Sequence, residues 1–133
     1  MKEKKVAVFL ADGFEEVEAI TPVDLLQRAG INVDTVSITS DNLVESARKV
    51  KIMTDKVIGK IDFLEYDMLV MPGGPGTGNY FKSQLLLDNV LKLIYQIQAR
   101  QLYLAVFLQL VSCYIFQKFA NLLDIFYYLQ NRK

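Results

Sequence analysis

The sequence contains no histidine and no tryptophan, and its single cysteine is Cys113. Without histidine there is no imidazole to bind a metal and none to serve a Ser–His or Cys–His couple. One cysteine excludes an internal disulfide. An excess of either charge is also lacking: 15 basic and 15 acidic residues cancel. That balance gives no electrostatic reason to expect a nucleic acid or an anionic membrane as partner. Glycine and proline do not occur after Gly78, and Asp124 is the only acid beyond Asp88. The charge-free stretch from Gln101 to Gln117 has Gln109 in its middle. It is shorter than the roughly 20 apolar residues a membrane span needs, so it reads as a buried strand and helix. At the other end, Lys2, Lys4 and Lys5 lead into too short an apolar run before Asp12 to form a signal peptide. The expected compartment is the cytoplasm.

What is present is organised around KVAVFLADGFEEVEAITPVDLLQRAG, Lys5 to Gly30. Val6 to Leu10 is a continuous apolar run, the pattern of a strand buried on both faces of a parallel sheet. Asp12, Glu15, Glu16 and Glu18 follow at once, then a helical spacing of apolar residues through Ala29. Pro22 interrupts that spacing and either kinks the helix or opens a second segment after Thr21, a possible N-cap. Gly30 is a natural stop. Ile31 to Ile38 alternates as a second strand, completing half of a right-handed βαβ unit. Thr39 to Lys51 is polar and reads as irregular. Val50–Met53 and Lys56–Ile58 are short strand candidates for a ribbon or an edge. Met68 to Met71 is another buried strand, ending in PGGPGTGN. Gln84 to Gln98 forms a helix with Leu86, Val90, Leu93, Ile94 and Ile97 available inward, and Leu102 to Phe107 a further strand. At 133 residues the chain is one domain, 1–133. No repeat, linker or low-complexity segment divides it. Residues 106–133 form an atypical apolar tail: 8 of the 15 aromatics lie in the last 31 residues, and such a tail must be buried or associate.

Two features carry chemistry. The PGGPGTGN loop fails as a phosphate cradle, because Asn79 stands where a P-loop needs lysine, and it does not complete a dinucleotide fingerprint. Its glycines can bring backbone N–H groups close to a reacting centre, as an oxyanion site requires; a plain tight turn fits the spacing equally. Among the acids, Glu15 and Glu16 are explained by favourable negative charge at a helix N-terminus. Glu18 differs. It lies between Val17 and Ala19, where a carboxylate can be buried and suited to sharing a proton with a nucleophile. No His or Cys lies nearby to complete a metal shell, so neither a metal nor a cofactor is expected. A receiver domain needs an acceptor Asp where this chain has Met71–Pro72, and a flavodoxin needs hydroxyls where this chain has acids.

VAVFLADGFEEVEAITPVDLLQRAGINVDTVSI, then YDMLVMPGGPGTGNY, then the helix ending Gln96 to Arg100, together resemble the ThiJ/PfpI superfamily over about residues 5–105. The resemblance implies an α/β three-layer flavodoxin-like sandwich with a mainly parallel sheet of about five strands, the C-terminal part of the family domain missing. It also implies cysteine-dependent action on reactive carbonyls, glycated groups or peptides, without a cofactor, in a homodimer. By position, Glu18 is the glutamate that hydrogen-bonds the family's cysteine. Gly73 and Gly74 are the glycines whose backbone supports the oxyanion site, and Arg48 corresponds to an arginine near the dimer interface. The cysteine itself falls on Leu108, which cannot attack anything. Cys113 has no basic neighbour to lower its pKa and reads as an inert thiol. Codons for Val106 to Leu110, read from the third base, permit Ile-x-Ala-Ala, the family's elbow one frame away. A frameshift near Ala105 is therefore the expectation for the divergent end. The expected function is that of a family protein with cysteine-dependent activity absent or severely reduced. The alternative is a binding, chaperone-like or stress-response module, or a truncated product that oligomerises through its tail.

Overall fold

The computed structural model describes residues 4–96 and 103–106. Strand β1, Lys5–Leu10, lies at the centre of a parallel five-stranded sheet. It pairs with β2, Asn32–Ser37, on one side and β6, Met68–Met71, on the other. A short β5, Lys56–Val57, extends the sheet beyond β2, and β7, Tyr103–Val106, extends it beyond β6. The order β5-β2-β1-β6-β7 is a doubly wound α/β arrangement, the fold class expected. The continuous apolar run of β1 follows from this position. Val6, Val8 and Leu10 enter one core with Phe14, Ala19 and Val33, while Ala7 and Phe9 enter the other with Leu69, Tyr80 and Leu86.

Helix α1, Glu16–Arg28, packs on the first face. It is one helix through Pro22, with Glu15 rather than Thr21 at its N-cap. The missing Pro22 N–H is the donor that the Glu18 carbonyl would otherwise meet, so the helix loses one bond in the turn that carries Glu18. At the other end Gly30 has φ +76°. Its N–H donates to Gln27 O (3.0 Å) and that of Ile31 to Leu26 O (3.0 Å), a Schellman stop. Helix α2, Gln84–Gln96, covers the opposite face, burying Leu86 and Leu93 with Val90 packed beside them. The expected inward Ile97, the residues after Gln96 up to 102, and the tail from Phe107 lie outside the described residues. No helix among the described residues is long and apolar enough to cross a membrane.

The 39–51 stretch differs from expectation. Leu43–Glu45 forms β3, antiparallel to β4, Lys51–Met53, in a separate two-stranded sheet. The element is three residues long, and of these only Val44 is buried, so alternation had almost nothing to act on.

At the amino-terminal end of the main sheet, Asp34 ties four segments together. Its Oδ2 lies 2.9 Å from Lys56 Nζ and 3.4 Å from Lys5 Nζ, and the Tyr66 hydroxyl donates to it at 2.7 Å. Burial pulls the Asp34 carboxyl upward, but the Lys56 and Tyr66 hydrogen bonds outweigh that and leave it below its ordinary 3.8. Burial, and then the bond to Asp34, keep the Tyr66 phenol protonated well above its ordinary range. Asp34→Asn is expected to cost about 1–2 kcal/mol near neutrality, discounted for partial exposure. Because the folded pKa is depressed, this stabilisation is complete above the unfolded value and disappears as pH falls through the folded one. Urea melts of both proteins at pH 7 and pH 3 check it: the gap must be the larger at pH 7.

Candidate functional site

The site lies at the carboxyl ends of β1 and β6, where open α/β sheets place their chemistry. Two segments meet there, the β1–α1 turn (residues 11–15) and the glycine loop after β6 (72–78), and the β3–β4 hairpin is hydrogen-bonded to the turn. Gly73 is held at both ends. Its N–H donates to Glu18 Oε2 at 2.7 Å, and its carbonyl accepts from the Glu15 N–H at 2.8 Å. Of the expected site residues, Glu18, Gly73 and Gly74 are thus brought together. Glu18 is partly buried rather than enclosed. The Gly73 amide, expected to support an oxyanion, is instead engaged by the Glu18 carboxylate.

Backbone geometry explains the glycines. Gly74 has φ +112°, and a Cβ there would lie 2.6 Å from both Glu15 N and Gly13 O. A Cβ on Gly76 would lie 1.9 Å from Asp12 O. The two loops therefore touch backbone to backbone, and the Gly76 N–H donates to Gly13 O at 2.9 Å. Asn79, which disqualified the loop as a phosphate cradle, has a structural part: its Nδ2 donates to Asp12 O at 3.0 Å. Buried Tyr80 donates its hydroxyl to Phe9 O at 3.1 Å. Burial pushes this phenol far above its ordinary range, and the Glu18 charge adds to the effect.

Sequence reasoning missed the role of Glu16. Beyond favouring a helix N-terminus, its Oε1 accepts the Ser46 hydroxyl and the Arg48 N–H (2.8 Å). The Ser46 bond, followed by those of backbone N–H groups, holds this carboxyl below the ordinary glutamate range. Arg48 is thus joined to the site through its backbone, with its side chain exposed. The signal that could have revealed this is the pairing of a buried Ser with a helix-start Glu, invisible without the hairpin. Among the described residues, no group of His, Cys, Asp and Glu is arranged to hold a metal. Leu108 and Cys113 lie outside the described residues.

A parallel sheet in this order, with a carboxylate on the first helix facing a glycine loop, defines a class of α/β domain. The DJ-1/PfpI family pattern matches residues 4–106, and the chain belongs to that family. It is similar to Protein DJ-1 homolog B of Arabidopsis thaliana, 38% identical over 88 residues, covering 66% of this chain and 20% of that protein. It is also similar to Protein dj-1beta of Drosophila melanogaster, 34% identical over 89 residues, covering 67% of this chain and 48% of that one. Among solved structures, oxidized Toxoplasma gondii DJ-1 superposes with a TM-score of 0.70 at 31% identity, covering 77% of this chain and 54% of that chain. The chain thus spans about half or less of the length of these relatives.

Proposed function

We propose that this chain keeps the carboxylate and glycine-loop half of a DJ-1/PfpI-type site and lacks the thiolate half. Cysteine-dependent turnover of reactive carbonyls or glycated groups is then absent or severely reduced. The observation that carries the reading is the 2.7 Å bond from Gly73 N–H to Glu18 Oε2. It fixes a carboxylate beside the sheet end where an attacking sulfur would have to sit. β7 pairs with β6 in parallel register, Met71 opposite Val106, and Leu108 stands two residues further on. A leucine side chain has no lone pair to attack a carbonyl and no proton for Glu18 to share. The Glu18 carboxylate, with one oxygen held by Gly73 N–H, can still accept a hydrogen bond from a small polar substrate, which would be bound and released unchanged.

The test is direct. Purified chain incubated with methylglyoxal is expected to consume it at the buffer rate, and Glu18→Gln to leave that rate unchanged. Consumption above buffer that Glu18→Gln abolishes overturns the proposal. DNA sequence across codons 100 to 113 addresses the divergent end separately. An alternative frame encoding a family-like elbow supports the frameshift, and its absence from both frames sinks it.

A second reading has its own observation. Val17 and Val50 are exposed, and the stretch after Val106 is rich in aromatics. Apolar surface of this kind favours a binding or chaperone-like role, in a homodimer or larger species. No nucleic acid or membrane takes part in either reading, and the proposed compartment is the cytoplasm.

A further inference from the structure

We infer that the β3–β4 hairpin is a movable flap on the β1–α1 turn and that the Glu16 side chain is the latch that holds it closed. The inference deepens the proposal above, since the hairpin is bonded to the turn that touches the glycine loop, but its test reads the hairpin alone. The hairpin belongs to its own two-stranded sheet. Two strands by themselves are marginal in water. Its apolar anchorage is slight: Val44 is buried and Ile52 packs against the α1-side core, while Leu43, Val50 and Met53 are exposed.

What fixes the hairpin is a set of polar bonds to the β1–α1 turn. Gly13 N–H donates to Glu45 O (2.7 Å), Glu45 N–H to Asp12 Oδ1 (2.9 Å) and Ala47 N–H to Phe14 O (2.8 Å). Glu16 adds two bonds through one oxygen, from the Ser46 hydroxyl and the Arg48 N–H. The Ser46 oxygen in turn accepts the Val50 N–H at 3.0 Å, so the carboxylate also organises the hairpin's own turn. Inside that turn Lys49 has φ +69°, a left-handed conformation unfavourable for a residue with a side chain. Opening the latch lets this residue relax. The latch therefore works against local strain, and it depends on one charged group.

The charged groups on the elements around it are Arg48, Glu45, Lys49 and Lys51 on the hairpin, Asp12 and Glu15 on the turn, and Glu18 on the helix itself. Glu45 is engaged by Lys49 at 2.8 Å. The Ser46 hydrogen bond chiefly, then backbone N–H bonds including that of Arg48 and the Arg48 charge, support the ionised form of Glu16. The latch is therefore fully closed above the ordinary glutamate value of 4.5 and opens as pH falls through the lower folded value.

Residue-resolved amide exchange on the full chain tests this. Glu16→Gln is expected to lower protection at Glu45, Ala47, Arg48 and Val50 by on the order of tenfold, with β1, β2 and β6 within about twofold of wild type. Ser46→Ala removes one of the two donors to Glu16 together with the acceptor of the Val50 N–H, and must lower protection at the same hairpin amides, Val50 most. Wild-type protection at these four amides, corrected for intrinsic exchange, must fall as pH is lowered from 5 to 3, and must fall less steeply in Glu16→Gln. The inference is overturned by hairpin protection unchanged in Glu16→Gln, by a uniform rise in exchange across the sheet, or by parallel pH profiles.

Discussion

Gly76→Ala is expected to destabilise the fold by roughly 2–4 kcal/mol, a drop in Tm on the order of 10 °C. The added Cβ would lie 1.9 Å from Asp12 O and 2.7 Å from the Gly13 carbonyl carbon. Both are backbone atoms at the end of the central strand, so no side-chain rotation relieves the clash. The loops must separate, which breaks the Gly76 N–H bond to Gly13 O and draws Gly73 away from Glu15 and Glu18. Gly74→Ala should be similarly costly, because its φ of +112° adds strain to contacts of 2.6 Å. Gly78 in the same loop is the control. A Cβ there meets nothing within 4 Å, so Gly78→Ala should be neutral or slightly stabilising. Thermal melts of the three variants check the ranking, and equal losses at Gly76 and Gly78 would contradict the backbone-contact account.

The same comparison shows what could be read from the chain and what could not. The central strand was legible because a strand buried on both faces must be apolar at every position, and Val6 to Leu10 satisfies that without ambiguity. The α1 stop was legible because a Schellman turn needs a residue tolerant of positive φ, and Gly30 stands where the helix pattern ends. Glu18 stood out as the odd carboxylate between apolar neighbours, and it is the one bonded to the Gly73 N–H. The glycine loop was legible only as a loop. That Gly76 is irreplaceable while Gly78 is not depends on which backbone crosses it, a long-range fact about the β1–α1 turn. Glu16 was read only in part for the same reason. A helix N-terminus accounts for an acid there through local electrostatics alone, and only the hairpin, itself too short to announce a strand, shows that the carboxylate has two donors. Thr21 failed as an N-cap because the helix had already begun at Glu16, and the sheet-facing packing of Ala19 and Val23 carries it through Pro22.

Val17→Glu combined with Val50→Glu is expected to weaken the proposed homodimer by roughly 100-fold or more while leaving the far-UV spectrum unchanged. Val17 is 68% and Val50 49% exposed. They flank the Glu16–Ser46 latch, Val17 following Glu16 and Val50 donating its N–H to the Ser46 oxygen. Exposed valines on a helix and on the hairpin bonded to it suit a two-fold contact, in which each valine counts twice. Burying a valine is worth about 1.5 kcal/mol or more, and placing like charges across a two-fold axis adds repulsion. Sedimentation velocity over a range of concentrations measures the shift. The experiment also separates the two ways this chain could associate. A contact through the α1–hairpin face is lost in the double variant, which then sediments as a monomer. Association through the aromatic-rich residues beyond Val106 ignores substitutions at positions 17 and 50, so the variant would form the same dimers or larger species as the wild type. That second result would move the chain's association away from the α1–hairpin face and onto the divergent segment, leaving Val17 and Val50 as ordinary exposed valines.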